Sequence, residues 1–184
     1  MSRLKPVVFL DRDGTLNPDR PGWYLTRRSQ MRVYRRAAPA LRLLRRAGFR
    51  IVVVSNQSGL GRGFLTPRTL AGIHAKLRAD LAQAGARLDG IYFCPHHPDR
   101  RCPCRKPKPL LARRAARELG LSLSRAAVVG DKCVDLGLAR ALGVPGLLVL
   151  TGHGRHERPR SGPFKPAAVR RDILGAARWI VENV

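Results

Sequence analysis

The chain has 184 residues, with 36 Lys or Arg against 12 Asp or Glu and a formal net charge of +24. Hydrophobic residues make up 44%, enough for one domain over residues 1–184 to build a core without covalent staples. No apolar run approaches the ~20 residues that cross a bilayer, and the run before Asp11 is too short for a secretory leader, so a soluble cytoplasmic protein is expected.

In chain order, Val7-Val8-Phe9-Leu10 is a short continuous apolar run and reads as a buried parallel strand. Residues 14 to 37, with several Pro, Gly and aromatic residues, read as an irregular excursion, and 38 to 47 as a helix closed by Gly48. A second strand follows at 51–54. Thr66 and Pro67 suit an N-cap and a first helical position, opening a helix to about residue 84. A third strand at 91–93 leads into a Cys/His/Pro/Arg loop to about 109, then a helix to about 119. Residues 126–129, 134–142 and 146–150 read as strand, helix and strand, and 168–181 as a last helix. Strands alternating with helices predict an α/β fold, a Rossmann-like three-layer sandwich with a parallel central sheet. Ligands of such folds bind beyond the carboxyl ends of the strands.

Four of the few acids fall in two tight pairs, Asp11 with Asp13 and Asp131 with Asp135, each after an apolar strand. One Asp there would pass as a turn or helix cap. Two pairs repel, and a cation is expected among them. Phosphoryl transfer needs an in-line nucleophile, a proton donor for the leaving oxygen and cations for the equatorial oxygens. Asp11 and Asp13 can supply the first two, Gly14 allows a sharp departure from the strand, and Asp131 can complete an oxygen set for Mg2+.

Cys94, Cys102 and Cys104 lie within eleven residues, beside His96 and His97. In a chain without a secretion signal this clustering argues for a metal over disulfides. Three thiolates and one imidazole satisfy a closed, tetrahedral and therefore structural zinc site. Cys133 stands apart and reads as a small buried residue. The positive charge would attract nucleic acid and phosphorylated metabolites alike. Its carriers are 30 Arg and 6 Lys spread along the chain, not interleaved with aromatics as a base-stacking surface requires. Composition and phosphate steering account for it, and nucleic acid is not the expected partner. No unassigned apolar stripe is left for an interface, so a monomer is expected.

Asp-x-Asp-Gly-Thr at 11–15, Ser55 after the second strand, Lys106, and Gly130-Asp131-x3-Asp135 resemble, in order, the four motifs of haloacid dehalogenase (HAD) superfamily phosphatases. The resemblance implies a HAD-like fold with a minimal cap, Asp11 as nucleophile, and Asp13 as general acid and later base. Mg2+ would be held by Asp11, the Asp13 carbonyl and Asp131. Ser55 and Lys106 would bind the phosphoryl oxygens, with Asp135 supporting the metal or the lysine. The stretches 9–17, 55–63, 94–98, 104–107 and 129–132 are further similar to the D-glycero-D-manno-heptose 1,7-bisphosphate 7-phosphatase family. That family's pattern uses the histidine two residues after the first Cys, which makes Cys94, His96, Cys102 and Cys104 the Zn2+ ligands. It implies removal of the C7 phosphate from a small sugar bisphosphate on the way to nucleotide-activated heptose. Arg105 is the candidate for recognising the retained phosphate, since its fork binds phosphate in a bidentate way. Asp19, Arg20, Pro21, Gly22, Asn56, Gln57, Ser58 and Lys132 occupy further substrate-contact positions. Histidinol-phosphate phosphatases of the same subgroup carry similar loops, but Cys-Pro-His-His-Pro and Asn17 fit the heptose enzymes better. A polynucleotide 3'-phosphatase would suit the charge without needing the zinc loop. Departures from the pattern fall at 22–25 and 35–37, where a small flap would close over the sugar, and at Leu110-Leu111.

Overall fold

A computed structural model of the chain describes residues 4–19, 22–157 and 164–184. Within them, one parallel sheet contains β1 (Lys5–Leu10), β2 (Arg50–Asn56), β3 (Gly90–Cys94), β4 (Leu121–Gly130), β5 (Gly146–Val149) and β6 (Ala168–Arg170), ordered β3-β2-β1-β4-β5-β6. The connections carry helices α1 (Ala37–Arg46), α2 (Ser58–Gly61), α3 (Pro67–Gln83), α4 (Leu110–Leu119), α5 (Cys133–Leu142), α6 (Gly154–Glu157) and α7 (Ile173–Asn183). A single 3-10 turn spans Arg28–Gln30. No helix of the described residues is long and apolar enough to cross a membrane.

Side chains alternate across a strand, and here both faces are buried. Val8, Leu10, Ile51, Val53 and Val129 pack with residues of α1, α3 and α7, while Val7, Phe9, Val52, Val54 and Val128 pack with α4 and α5. This double burial is why the strands read as continuous apolar runs, and it produces the three layers. The helix at Thr66 begins where its residue types place it: Thr66 Oγ1 accepts from the Thr69 N–H at 3.1 Å.

The short helices α2 and α6 and the early start of β4 at Leu121 go beyond the expected elements, and the start of the last helix differs from expectation. Residues 168–170 are not helical; they form β6, with Ala168 opposite Leu147 and Arg170 opposite Val149. The last helix starts at Ile173, where Asp172 Oδ1 accepts from the N–H groups of Leu174 and Gly175 at 3.0 and 3.1 Å. A strand of three residues is too short to show its own period against an Ala-rich background. The excursion at 14–37 is anchored rather than free-standing. Gly14 N–H donates to Asn17 O at 2.7 Å and Tyr34 N–H to Leu16 O at 2.8 Å, and Leu16, Leu25 and Met31 are buried in the core beside α1 and α3. It is a minimal cap.

β1 lies between β2 and β4, so the winding direction of the sheet reverses at its carboxyl end, where open α/β sheets bind ligands. Asp11, Ser55 and Asp131 all sit at that edge.

Candidate active site

A cleft of about 440 Å³ opens at this edge, with Asp11, Asp13, Ser55, Arg105, Lys106 and Lys132 among its lining residues. The N–H of Asp11 donates to Val129 O at 2.9 Å, which extends the β1–β4 pairing by one residue and holds the carboxylate at the strand end. Lys106 Nζ stands 2.9 Å from Asp11 Oδ1 and 2.7 Å from Asp135 Oδ1. Burial pushes the Lys106 ammonium down, but Asp11 and Asp135 outweigh it and hold its pKa above the ordinary value. The lysine is charged at any working pH.

The acids outnumber that one cation. Burial and then the Asp11 charge push Asp131 well above the usual carboxylate range, and burial lifts Asp135 to about 6 against the pull of Lys106. Oxygens of Asp11, Asp131 and Asp135 lie within 4.8 Å of one another. Asp131 Oδ2 accepts from the His153 N–H at 2.8 Å, while its Oδ1 is buried without a hydrogen-bond partner. An orphaned oxygen in a crowded carboxylate set fits a hard divalent cation such as Mg2+. Gly14 (φ 83°) and Gly152 (φ 54°) press against the Asp131 carboxylate, and a Cβ on either would collide with it. Only glycine supplies both that backbone conformation and that clearance.

Asp13 is held by a separate set of donors. Its oxygens accept from Arg12 Nε at 3.1 Å each, and Oδ2 accepts from Arg12 Nη2 at 2.8 Å. Asn17 Nδ2 donates to Oδ1 and Gln57 Nε2 to Oδ2, both at 2.8 Å. Burial pushes the Asp13 carboxyl up, but the Arg12 charge and these hydrogen bonds overrule it and hold it below its ordinary pKa. Gln57 Nε2 also donates to Ser55 Oγ at 2.8 Å. Asn56 turns its amide to the backbone of Lys106, accepting from its N–H at 2.9 Å and donating to its C=O at 3.2 Å. The end of β2 thereby pins the lysine.

Along the cleft wall, Lys132 Nζ lies 2.6 Å and His153 Nε2 3.3 Å from Asp19 Oδ2. Arg105 Nη1 is buried with no hydrogen-bond partner. Gly22 and Ser58 also line the cleft, whereas Arg20 and Pro21 lie outside the described residues. Cys133 is not the small buried residue expected. It is half-buried on the cleft wall, its N–H donating to Glu157 Oε2 at 3.0 Å, because the first turn of α5 opens onto the site. Sequence reading also missed Arg12, His74 and His153. Arg12 sits inside the motif and His153 follows a strand end, signals that could have flagged both. Nothing local marks His74, which meets Arg12 from α3.

The thiols stand at the far side of the 94–106 loop. Cys94 Sγ lies 3.4 Å from Cys102 Sγ and 3.6 Å from His96 Nδ1. Cys104 Sγ lies 3.3 Å from His96 Nδ1 and 3.7 Å from Cys102 Sγ. These approach the edges of about 3.6–3.8 Å that tetrahedral zinc with S and N ligands requires. His97 turns away, its Nδ1 accepting from the Asp99 N–H at 3.3 Å. A Cβ on Gly61 would run into the His97 backbone, so α2 and the thiol loop are in close contact.

A family model described as HAD-hydrolase-like matches residues 103–176. The chain is 35% identical over 175 residues to the D-glycero-beta-D-manno-heptose-1,7-bisphosphate 7-phosphatase of Pseudomonas putida, covering 95% of this chain and 99% of that relative. It is 36% identical over 182 residues to the D-glycero-D-manno-heptose-1,7-bisphosphate 7-phosphatase of Chlorobaculum tepidum, covering 92% and 91%. Among solved structures, D,D-heptose 1,7-bisphosphate phosphatase from B. bronchiseptica, complexed with magnesium and phosphate, matches with a TM-score of 0.89 and 34% identity. That match covers 97% of this chain and 99% of the other.

Proposed function

The chain belongs to the haloacid dehalogenase-like hydrolases, in the group of the heptose 1,7-bisphosphate 7-phosphatases, and is a phosphoric monoester hydrolase; from that membership we propose that it removes the C7 phosphate of D-glycero-D-manno-heptose 1,7-bisphosphate through an aspartyl-phosphate, in heptose nucleotide precursor synthesis. One observation carries the mechanism: Lys106 Nζ sits between Asp11 and Asp135, beside the unpartnered Asp131 Oδ1.

A carboxylate oxygen of Asp11 attacks the phosphorus, the bond from phosphorus to the C7 oxygen breaks, and Asp13 gives its proton to that oxygen. Asp13 then takes a proton from the water that attacks the aspartyl-phosphate. The bond from phosphorus to the Asp11 oxygen breaks and inorganic phosphate leaves. The donors around Asp13 favour its ionised form, the form the second step needs. The negative charge of an arriving phosphate favours the protonated form needed first. Ser55 and Lys106 bind the transferring oxygens. Asp11, the Asp13 carbonyl and Asp131 would hold Mg2+, with Asp135 behind them, and the bound ion offsets phosphoryl charge.

The unpartnered, buried Nη1 of Arg105 supports this residue as the grip on the retained C1 phosphate. Asp19, Gly22, Ser58 and Lys132, which line the cleft, complete the sugar subsite, while Gln57 engages Asp13, Ser55 and Arg12 and Asn56 acts by fixing Lys106. Cys94, His96, Cys102 and Cys104 would hold Zn2+, which braces the loop that presents Arg105 and Lys106. A thiol set claimed by zinc suits the reducing cytoplasm.

The test is a kinetic comparison of the α and β anomers of the heptose bisphosphate with histidinol phosphate, fructose 1,6-bisphosphate and a 3'-phosphorylated oligonucleotide. The heptose bisphosphate should give the highest kcat/KM. Faster turnover of histidinol phosphate or of the oligonucleotide would replace this substrate assignment.

A further inference from the structure

Arg12 is 1% exposed, and burying a guanidinium is costly unless its donors are placed. Here they are. Nε and Nη2 grip both oxygens of Asp13, Nη2 also donates to Gln57 Oε1 at 2.8 Å, and Nη1 meets His74 Nε2 at 3.0 Å. Arg has only donors, so His74 must accept through Nε2 and carry its proton on Nδ1. Burial and the Arg12 charge lower the His74 pKa to about 4, which keeps the ring neutral and able to accept. The ring also packs on Phe93 of β3, with centroids 5.5 Å apart. His74 is thus wedged between α3 and β3 and faces the far end of the guanidinium. Among the described residues, Asp13 is the carboxylate that Arg12 hydrogen-bonds; Lys106 serves Asp11 and Asp135 instead.

We propose that Arg12 and His74 are positioning residues for Asp13: His74 fixes the Arg12 fork from α3, and the fork fixes the carboxylate that moves the proton. The inference rests on the acid–base role given to Asp13 above. It explains why this strand end buries a cation whose hydrogen bonds go to Asp13, Gln57 and His74 and not to the metal-type acids. It also predicts a selective lesion. Loosening the fork disturbs proton transfer and leaves the nucleophile, its lysine and the acidic cluster in place.

Leaving-group chemistry separates the two. A sugar alkoxide needs a proton as it departs, whereas p-nitrophenolate does not, so only the later hydrolysis of the aspartyl-phosphate needs Asp13 when p-nitrophenyl phosphate is used. The experiment compares the wild-type enzyme with His74→Leu, His74→Gln, Arg12→Lys and Asp13→Asn under Mg2+, on p-nitrophenyl phosphate and on the heptose bisphosphate. Fructose 1,6-bisphosphate replaces the heptose compound if the latter is not turned over. His74→Leu should lower kcat on the sugar phosphate about tenfold with KM within about twofold, as expected of a misplaced proton donor. With p-nitrophenyl phosphate it should keep the wild-type burst rate and slow only the steady state. Arg12→Lys, which keeps the charge without the fork, should show the same split if His74→Leu does not fold. His74→Gln, which keeps an acceptor, should recover to within about threefold of wild type. Unchanged turnover in His74→Leu and Arg12→Lys, a burst slowed as much as the sugar reaction, or no rescue by Gln would overturn the proposal. Asp13→Asn should show the split most deeply. If it shows none, the acid–base reading fails along with the proposal; if it does and the clamp variants do not, only the clamp fails.

Discussion

The acidic cluster and the thiol cluster both gather metal-type ligands, yet they are assembled over opposite ranges of the chain. Cys94, His96, Cys102 and Cys104 come from one stretch of eleven residues, the last residue of β3 and the loop after it. Asp11, Lys106, Asp131 and Asp135 come from segments that only the sheet brings together, with the Asp11 N–H to Val129 O bond at 2.9 Å aligning two of the strand ends. Local spacing suffices for the first cluster; the second depends on topology and register. The two meet where Lys106 follows Cys104 by two residues, so the local cluster presents the cation that the long-range cluster needs. On the proposed reading the chemistry is divided in the same way: carboxylates act on the phosphate, and a braced loop aims the positive charge.

Asp11→Asn should break that division most sharply. Turnover should fall by roughly 10⁴-fold or more, as for other lost nucleophiles, and no acid-stable phosphoenzyme should be trapped. The zinc content of the chain should stay at one per molecule, because no thiol-loop ligand bonds Asp11. A phosphoenzyme trapped in the Asp11→Asn variant, or lost zinc, would show that the two regions are not divided in this way. Removing zinc with a chelator should reach the acids indirectly. Misplacing Arg105 and Lys106 should lower kcat/KM by about 10²-fold, with thiols that a colorimetric reagent titrates only after chelation. Free titration beforehand would mean that the thiols hold no metal.

Gly14→Ala should act on the long-range cluster alone. The positive φ costs about 1–3 kcal/mol for a non-glycine residue, and the new methyl displaces the Asp131 carboxylate. Mg2+ affinity, read from the Mg2+ dependence of chemical denaturation, should drop by about tenfold for one displaced ligand, with zinc retained. Equal Mg2+ binding in this variant would remove Asp131 from the ligand set.

The same contrast decides what was legible in the sequence. The strands at 7–10 and 51–54 are legible because burial on both faces writes them as unbroken apolar runs. The thiol set is legible because its spacing is local, and the acids because few exist and they fall at strand ends. β6 is not legible: Ala168–Arg170 pairs with β5 through backbone bonds that any sequence can make. Nor is the clamp on Asp13. His74 is one polar residue on the helix α3, and its partner Arg12 is placed by the turn after β1, so only the tertiary structure joins them. The wall position of Cys133 belongs to the same class, since it depends on where α5 meets the cleft.

The smallest expected effect sharpens the comparison through protons. Asp135 has a folded pKa of about 6 against an ordinary value of about 3.9, and Asp131 is raised as well. At these two acids, the folded state without Mg2+ therefore binds more protons than the unfolded chain between about pH 4 and 6. The stability these two acids contribute falls as pH rises through that window and is lowest above it. His74 runs the other way. Its folded pKa of about 4 lies below the ordinary 6.5, so its contribution is full above pH 6.5 and is lost as pH falls toward 4. Its hydrogen bond is to Arg12 and not to the acidic cluster, so it weighs equally with and without Mg2+ and cancels in the difference. Mg2+ competes with protons for Asp131 and its neighbours, so the Tm gain on adding Mg2+ should be larger at pH 7.5 than at pH 5, by about a few degrees. Asp135→Asn, which removes one of the competing protons, should shrink that pH dependence. Thermal melts at the two pH values with and without Mg2+ measure it directly. A gain that is the same at both would mean that the acids are not linked to the metal, and that the crowding around Asp131 Oδ1 is relieved by something other than a cation.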